Sequence, residues 1–290
     1  MPRLPRRPFR MDDHLPLAGV RVVSIAINVP GPVAASRLAS LGASVTKVEP
    51  PTGDPLARSA PRWYAELVAG QRVVTLDLKA PADRARFAEA LVASDVLLVS
   101  SRPGALARLG LDRAALAAAY PALCTVSIVG HATPHADLAG HDLTYQAEAG
   151  LVTPPAMPAT LFSDMATGIE AVAAALALLV ARARTGHGGW REVSLRDTAA
   201  ALAAPRRHGL TAPDGVLGGA FAGYALYEAR DGWIALAALE PQFRARLMTI
   251  LDLPTLDGAV LARRVREQPV AEWVALGRSH DIPIAAVAAP

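Results

Sequence analysis

Runs of β-branched residues alternate with segments of helical spacing through the first part of the chain, and this alternation most constrains the fold. The run GVRVVSIAI (19–27) precedes the helix-like PGPVAASRLASLGA (30–43), and a second β-branched run, SVTKVEPP (44–51), follows. Strands that alternate with helices in this way form parallel sheets, because a right-handed crossover returns each strand in the same direction. The sequence therefore predicts an α/β fold.

The same pattern repeats further along the chain. Strand-like runs occur at QRVVTLDL (71–78), DVLLVSS (95–101) and LCTVSIVG (123–130), with helical segments between them. A long alanine-rich helix over 169–184 and a further strand in WREVSLRD (190–197) follow. We expect a Rossmann-like open parallel sheet with helices on both faces.

The character of the sequence changes after Pro205. A glycine-rich stretch, RRHGLTAPDGVLGGAFAGY (206–224), leads into a predicted hairpin with RDG at its turn and then into short helical segments. We predict a flexible leader over 1–14, a large domain over 15–205 and a smaller second domain over 206–290.

Glycine motifs that bind nucleotide phosphates are absent from the sequence. The first strand-to-helix turn reads NVPGPVAAS (28–36) in place of GxGxxG, and no GxxxxGK[ST] occurs. This argues against NAD, FAD and ATP. An open parallel sheet still binds its ligand beyond the carboxyl ends of its strands.

Charge and cysteine content restrict the partners. The formal charge is +3 and the sequence has no dense basic block, so we expect a small anionic ligand rather than nucleic acid. Cys124 is a single cysteine in an apolar run, which indicates a core residue and a reducing compartment.

The longest apolar run (171–181) is shorter than the ~20 residues that span a bilayer. We predict a cytoplasmic protein without a membrane span, a metal site or a permanently bound cofactor.

Three residues are candidates for chemistry: His141 in GHDLTYQAEAG, Asp164 in LFSDMATG and Glu240 in ALEPQF. Each has a structural alternative. His141 follows a strand, Asp164 fits the N-cap of the long helix, and Glu240 fits a helix start before proline. A helix N-terminus also stabilises a carboxylate, so Asp164 can serve as a nucleophile on an acyl group or as a base. A histidine opposite it would supply the second base of a cofactor-independent racemase.

A series of motifs in fixed order resembles the family III CoA transferases, a superfamily that includes the 2-methylacyl-CoA racemases. The motifs are PLAGVRVV, LGASVTKVEPPTGDP, RVVTLDLK, DVLLVSSRPGALARLGLD, GHDLTYQAEAGL, ARARTGHGGWREVSLRD and YEARDGWIALAALEPQF. The resemblance implies a Rossmann-like large domain, a smaller second domain and two interlocked chains. It also implies an acyl-CoA thioester as substrate, with coenzyme A present only as part of that substrate.

The resemblance also assigns roles to residues. Asp164 matches the catalytic carboxylate, which is the nucleophile of the transferases and one of two α-carbon bases of the racemases. His141 matches the other racemase base, and Glu240 matches a residue that assists it. Arg72 and Arg102 match positions near the CoA phosphates or adenine, with a solvated surface position as the alternative for either.

Three functions follow from this pattern. The first is exchange of the α-proton of a 2-methylacyl-CoA between His141 and Asp164, which the sequence favours because a transferase does not need the His and Glu pair. The second is CoA transfer to a carboxylic acid through an aspartyl anhydride and an aspartyl-CoA thioester on Asp164. The third is a catalytically silent CoA-binding or interaction protein, since the chain ends earlier, at DIPIAAVAAP (281–290), than the resemblance implies.

Overall fold

The computed structural model describes residues 15–288, and the leader predicted over 1–14 lies outside the described residues. Contacts within the chain divide it into two units. The first unit ends at Leu202 and the second begins at Ala203.

The first unit is built on a sheet of six parallel strands. They are β1 (Arg21–Ser24), β2 (Ser44–Glu49), β3 (Arg72–Thr75), β4 (Val96–Val99), β5 (Cys124–Val129) and β6 (Gly189–Ser194). Their order in the sheet is β3-β2-β1-β4-β5-β6. The direction in which strands are added therefore reverses between β1 and β4, and the loops after these two strands diverge and leave a crevice.

Helices connect and cover the strands. They are α1 (Pro30–Ser40), α2 (Pro55–Ser59), α3 (Pro61–Leu67), α4 (Pro81–Val92), α5 (Pro103–Arg108), α6 (Arg113–Ala119), α7 (Asp142–Glu148), α8 (Phe162–Thr185) and α9 (Leu195–Leu202). One face of the sheet packs against α1 and α8, and the other packs against α4, α5 and α6. The predicted α/β class with helices on both faces is confirmed.

The helices α1 and α8 approach each other closely at Gly168. A Cβ atom there would lie 2.7 Å from Val33 Cγ1 and 3.0 Å from the Pro30 carbonyl oxygen. Only a residue without a side chain allows this separation. The contact holds the start of α1 against the first turns of α8.

Helix α8 begins earlier than the sequence predicts, at Phe162 rather than at residue 169. It has 24 residues, and among the described residues it alone has the length and apolar composition that could cross a membrane. A long helix that packs against the sheet of an α/β protein has the same length and apolar composition. Ala171 and Ala175 of α8 are fully buried against the sheet, in the same core as Cys124, so the expected core position of that cysteine is confirmed.

The second unit combines a small antiparallel sheet with helices. Its strands are β7 (Tyr224–Ala229), β8 (Gly232–Ala237) and β9 (Ile284–Ala286), and its helices are α10 (Ala204–Arg207), α11 (Pro241–Leu251), α12 (Gly258–Arg266) and α13 (Val270–His280). The predicted hairpin is confirmed as β7 and β8. Ile234, Leu261 and Trp273 belong to its core.

Candidate active site

A cleft of about 200 Å³ opens at the carboxyl ends of the strands, where the strand order reverses. The loops after β1, β4 and β5 contribute Asn28, Ser101 and Gly130 to its walls. His141 and Asp164 line the same cleft. Two of the three candidate residues are therefore brought together at the edge of the sheet where such folds bind ligands.

Asp164 is the third residue of α8. The residue before the helix is Leu161, and the structure shows no side-chain hydrogen bond that caps this end, so the prediction of Asp164 as N-cap is wrong. The reason is that α8 extends further towards its amino end than the alanine-rich pattern indicates. The Asp164 side chain is thus not used in capping, and its carboxylate lines the cleft.

The pKa of Asp164 is raised from its ordinary value to about 7. Burial is the larger cause, because the charged carboxylate is deprived of water, and the negative charge of Asp142 is the second. A carboxyl group with a pKa near 7 is partly ionised at neutral pH, and its carboxylate form is more basic than that of an ordinary aspartate. Such a group suits a nucleophile or a base better than an ordinary aspartate does.

Asp142 supports the first turn of α8 from the neighbouring helix α7. Its Oδ1 accepts a hydrogen bond from the main-chain N–H of Asp164 at 3.0 Å. Its Oδ2 accepts one from Gln146 Nε2, which also donates to the Thr160 carbonyl oxygen at 3.1 Å. Asp142 and Gln146 are buried, so this polar contact fixes the two helix starts relative to each other.

His141 stands immediately before α7 with an extended backbone. Its main-chain N–H donates to Thr144 Oγ1 at 3.0 Å, and that hydroxyl donates to the His141 carbonyl oxygen at 2.8 Å. This arrangement satisfies main-chain groups at the helix start. The His141 side chain is exposed at the rim of the cleft, where it can reach a substrate.

Tyr145 is a buried wall of the cleft. A Cβ atom at Gly130 or Gly140 would lie 2.3 Å or 2.4 Å from its hydroxyl oxygen, so the phenol fills the space between two loop segments. Burial raises the pKa of Tyr145, and the negative charge of Asp164 raises it further. Tyr145 therefore keeps its proton at neutral pH and can donate a hydrogen bond.

The two candidate arginines occupy different places. Arg102, the residue before α5, is exposed and lines the cleft beside Ser101. Arg72 is the first residue of β3, and it lines a separate depression together with Arg21 and Arg86. Because Arg72 lies at the amino end of its strand, the structure does not bring it together with Asp164.

A second cleft adjoins the first and shares Ile27 and Ser101 with it. It lies beyond the carboxyl ends of β1, β2 and β3, and Lys79 stands at its edge. Its other charged lining residues are Glu49 and Asp77, and the rest of its lining is mostly apolar.

Glu240 belongs to the second unit. It precedes α11 as the N-cap residue, makes no side-chain capping hydrogen bond and is exposed. The helix-start position expected from the following proline is confirmed. Its assistance to His141 stays a prediction.

Sequence reasoning missed four residues of this site: Asn28, Asp142, Tyr145 and Gln146. A signal existed for Asp142, which adjoins His141 in the same GHD motif, and for Tyr145, which lies one helical turn after it. Asn28 lies in the first strand-to-helix turn, but its place in the cleft wall depends on a left-handed backbone conformation that the sequence does not specify.

Comparison with known proteins identifies the family. The model of CoA-transferase family III matches residues 17–290. The chain belongs to this family. The resemblance inferred from the motifs is therefore confirmed.

Curated relatives of this CoA-transferase family III protein include two that act on glutarate. Succinate–glutarate CoA-transferase of Agrobacterium fabrum is 31% identical over 268 residues, which cover 82% of this chain and 67% of the relative. Succinyl-CoA:glutarate CoA-transferase of Homo sapiens is 26% identical over 314 residues, covering 94% and 72%.

A solved structure has the same fold. A hypothetical protein of Mycobacterium tuberculosis has a TM-score of 0.83 and 26% identity, with 96% of this chain and 86% of that chain covered. The Rossmann-like sheet with a second, smaller unit is therefore also the architecture of a solved structure. The family model and the curated relatives identify the chain as an enzyme of CoA-transferase family III.

Proposed function

We propose that this protein transfers coenzyme A from an acyl-CoA thioester to a carboxylic acid, with Asp164 as the nucleophile. The observation that carries the proposal is the Asp164 carboxyl group, whose pKa is raised to about 7 in a cleft at the carboxyl ends of the strands. Names of relatives support transfer better than α-proton exchange, which the sequence favoured.

The reaction proceeds in four balanced steps. The Asp164 carboxylate attacks the thioester carbonyl and expels the CoA thiolate, which leaves a mixed anhydride. The thiolate then attacks the aspartyl carbonyl, releases the donor acid and forms an aspartyl-CoA thioester. The acceptor carboxylate attacks this thioester and expels the CoA thiolate, which leaves a second anhydride. The thiolate then attacks the acceptor carbonyl, which releases the new acyl-CoA and regenerates the Asp164 carboxylate.

The local chemistry supports these steps. Burial makes the Asp164 carboxylate more basic, and a more basic carboxylate is the better nucleophile towards a thioester. Arg102 and His141 at the same cleft can bind the carboxylates of the donor and acceptor acids. The adjoining cleft, whose lining is mostly apolar, leaves room beside the site for another part of the acyl-CoA molecule.

Hydroxylamine trapping during turnover tests the proposal. The protein is incubated with succinyl-CoA, glutarate and hydroxylamine, and we expect mass spectrometry to find a hydroxamate on Asp164. Asp197→Asn is a matched control, because Asp197 is the third residue of α9 and exposed, as Asp164 is the third residue of α8 and lines the cleft. This control should still form the adduct, and Asp164→Asn should not. An unmodified Asp164 in a protein that turns over would contradict the proposal.

The second candidate function is α-proton exchange of a 2-methylacyl-CoA. One observation favours it, namely that His141 and Asp164 line one cleft. Incubation with such a thioester in deuterated water distinguishes the two functions. One deuteron at the α-carbon, lost in His141→Ala, supports exchange, and its absence in a protein that transfers CoA excludes it.

The interlocked homodimer and the cytoplasmic location implied by the sequence stay predictions. Light scattering of the purified protein would test the first, and a mass of one chain would contradict it.

A further inference from the structure

The loop after β1 is fixed at three consecutive residues by side chains from three other segments. The bonds are Lys47 Nζ to the Ala26 carbonyl oxygen at 3.1 Å, the Ile27 N–H to Ser100 Oγ at 3.0 Å and the Asn28 N–H to Asp54 Oδ1 at 3.1 Å. Lys47 and Asp54 are fully buried and form an ion pair at 2.8 Å. These bonds fix the backbone from which the Asn28 side chain projects.

Asn28 has a left-handed backbone, with φ of 67°. Few residues other than glycine adopt this conformation, and asparagine tolerates it better than most. Glycine would satisfy the backbone alone with less strain. A side chain is nevertheless present, it is exposed, and it lines the cleft that contains Asp164.

The start of α1 lies close to the first turns of α8. Asn28 is two residues before Pro30, whose carbonyl oxygen approaches Gly168 of α8, and Gly168 is one helical turn after Asp164. Ile27 and Pro30, the neighbours of Asn28 in the cleft wall, are apolar. Of these three residues from the loop after β1 and the start of α1, Asn28 is therefore the one whose side chain can donate a hydrogen bond into the cleft that contains Asp164.

We propose that the Asn28 carboxamide binds the carbonyl oxygen of the acyl group that is transferred to Asp164. This inference rests on the proposed function. The side-chain N–H group of Asn28 donates a hydrogen bond to this carbonyl oxygen as negative charge develops on it. This happens during attack by the Asp164 carboxylate and again during attack by the returning thiolate. The buried Lys47–Asp54 pair acts through Asn28 as a positioning pair, because it fixes the loop that carries the amide.

Asn28→Gly tests the inference, since glycine adopts the left-handed backbone without strain and lacks the amide. We expect kcat of CoA transfer to fall about 100-fold, as for loss of one donor to a developing oxyanion. The KM for acyl-CoA should stay within about threefold, because the bond strengthens in the transition state. Asn28→Asp, which cannot donate and adds a negative charge near Asp164, should lose at least as much activity.

A matched control is Asp252→Gly, another left-handed residue replaced by glycine, in the second unit after α11. Its kcat should equal that of the wild-type protein. Unfolding midpoints of both glycine variants show whether the fold is kept. If Asn28→Gly transfers CoA within about twofold of wild type, the inference about Asn28 is wrong while the proposed function stands. If the wild-type protein forms no adduct at Asp164, the proposed function is wrong and the inference falls with it.

Discussion

At the scale of single residues, the burial that raises the pKa of Asp164 also lowers the stability of the fold. In the unfolded chain this carboxyl group ionises near its ordinary pKa of about 4, whereas in the folded protein its pKa is about 7. Ionisation of Asp164 therefore costs the folded state no stability below about pH 4. This cost grows as the pH rises from about 4 to about 7. Active sites commonly reduce stability in this way.

Asp164→Asn should accordingly stabilise the protein, and the gain should depend on pH. We expect the free energy of unfolding to rise by about 4 kcal/mol at pH 8, with no gain below about pH 4. Urea unfolding of the two proteins at pH 4, 6 and 8 measures the difference. A gain of equal size at all three values would show that Asp164 does not carry a raised pKa.

The rate of transfer should also report this pKa. In the proposed reaction the ionised carboxylate attacks the thioester, so kcat/KM of the wild-type protein should increase with pH and level off above about 7. Asp142→Asn removes the negative charge that raises the pKa and keeps an oxygen that can accept from the Asp164 N–H. We expect the acid limb of the pH–rate profile to move to lower pH. An unmoved limb in a folded variant would contradict the electrostatic role of Asp142.

At the scale of elements, the Lys47–Asp54 pair links β2 to the start of α2. Lys47 is the fourth residue of β2, and Asp54 caps α2 by accepting from the Leu56 N–H at 2.9 Å. Both side chains are fully buried. Lys47 Nζ also lies 3.7 Å from Glu49 Oε1, whereas loss of Lys47 would leave the buried Asp54 carboxylate without its cation.

Lys47→Met should therefore reduce the free energy of unfolding by about 3–5 kcal/mol, because Asp54 keeps its burial and loses its cation. Urea unfolding at pH 7 provides the measurement. Lys79→Met is the control, since Lys79 is exposed and its loss should change stability by less than about 0.5 kcal/mol. A loss below about 1 kcal/mol for Lys47→Met would show that the ion pair contributes little.

At the scale of the whole molecule, the sequence predicted the elements whose pattern is local. Strands β1, β2, β4 and β5 lie in runs rich in β-branched residues, and α4 has a helical spacing, so each could be found without its neighbours. Helix α2 and strand β9 were missed for the opposite reason. The first is 5 residues long and depends on its Asp54 cap, and the second is 3 residues long and exists through its pairing with β8.

The residues of the candidate site show the same difference between local patterns and contacts distant in sequence. His141 and Asp164 could be predicted from their motifs, because each motif is contiguous. The hydrogen bond between Asp142 and Asp164 joins residues 22 apart in sequence, and the fixation of Asn28 joins it to Asp54, 26 residues away. Contacts of this kind arise from the topology of the sheet and leave no local pattern.

The order of the strands also has a consequence for biosynthesis. During translation, the segments that form β1 to β5 leave the ribosome before Asp164 does, and the whole of α8 must follow before β6 can complete the sheet. Domains form as units from the amino end. A nascent chain stopped before α8 would hold much of the cleft wall without Asp164, so the covalent step proposed for Asp164 could begin only after the start of α8 has been synthesised.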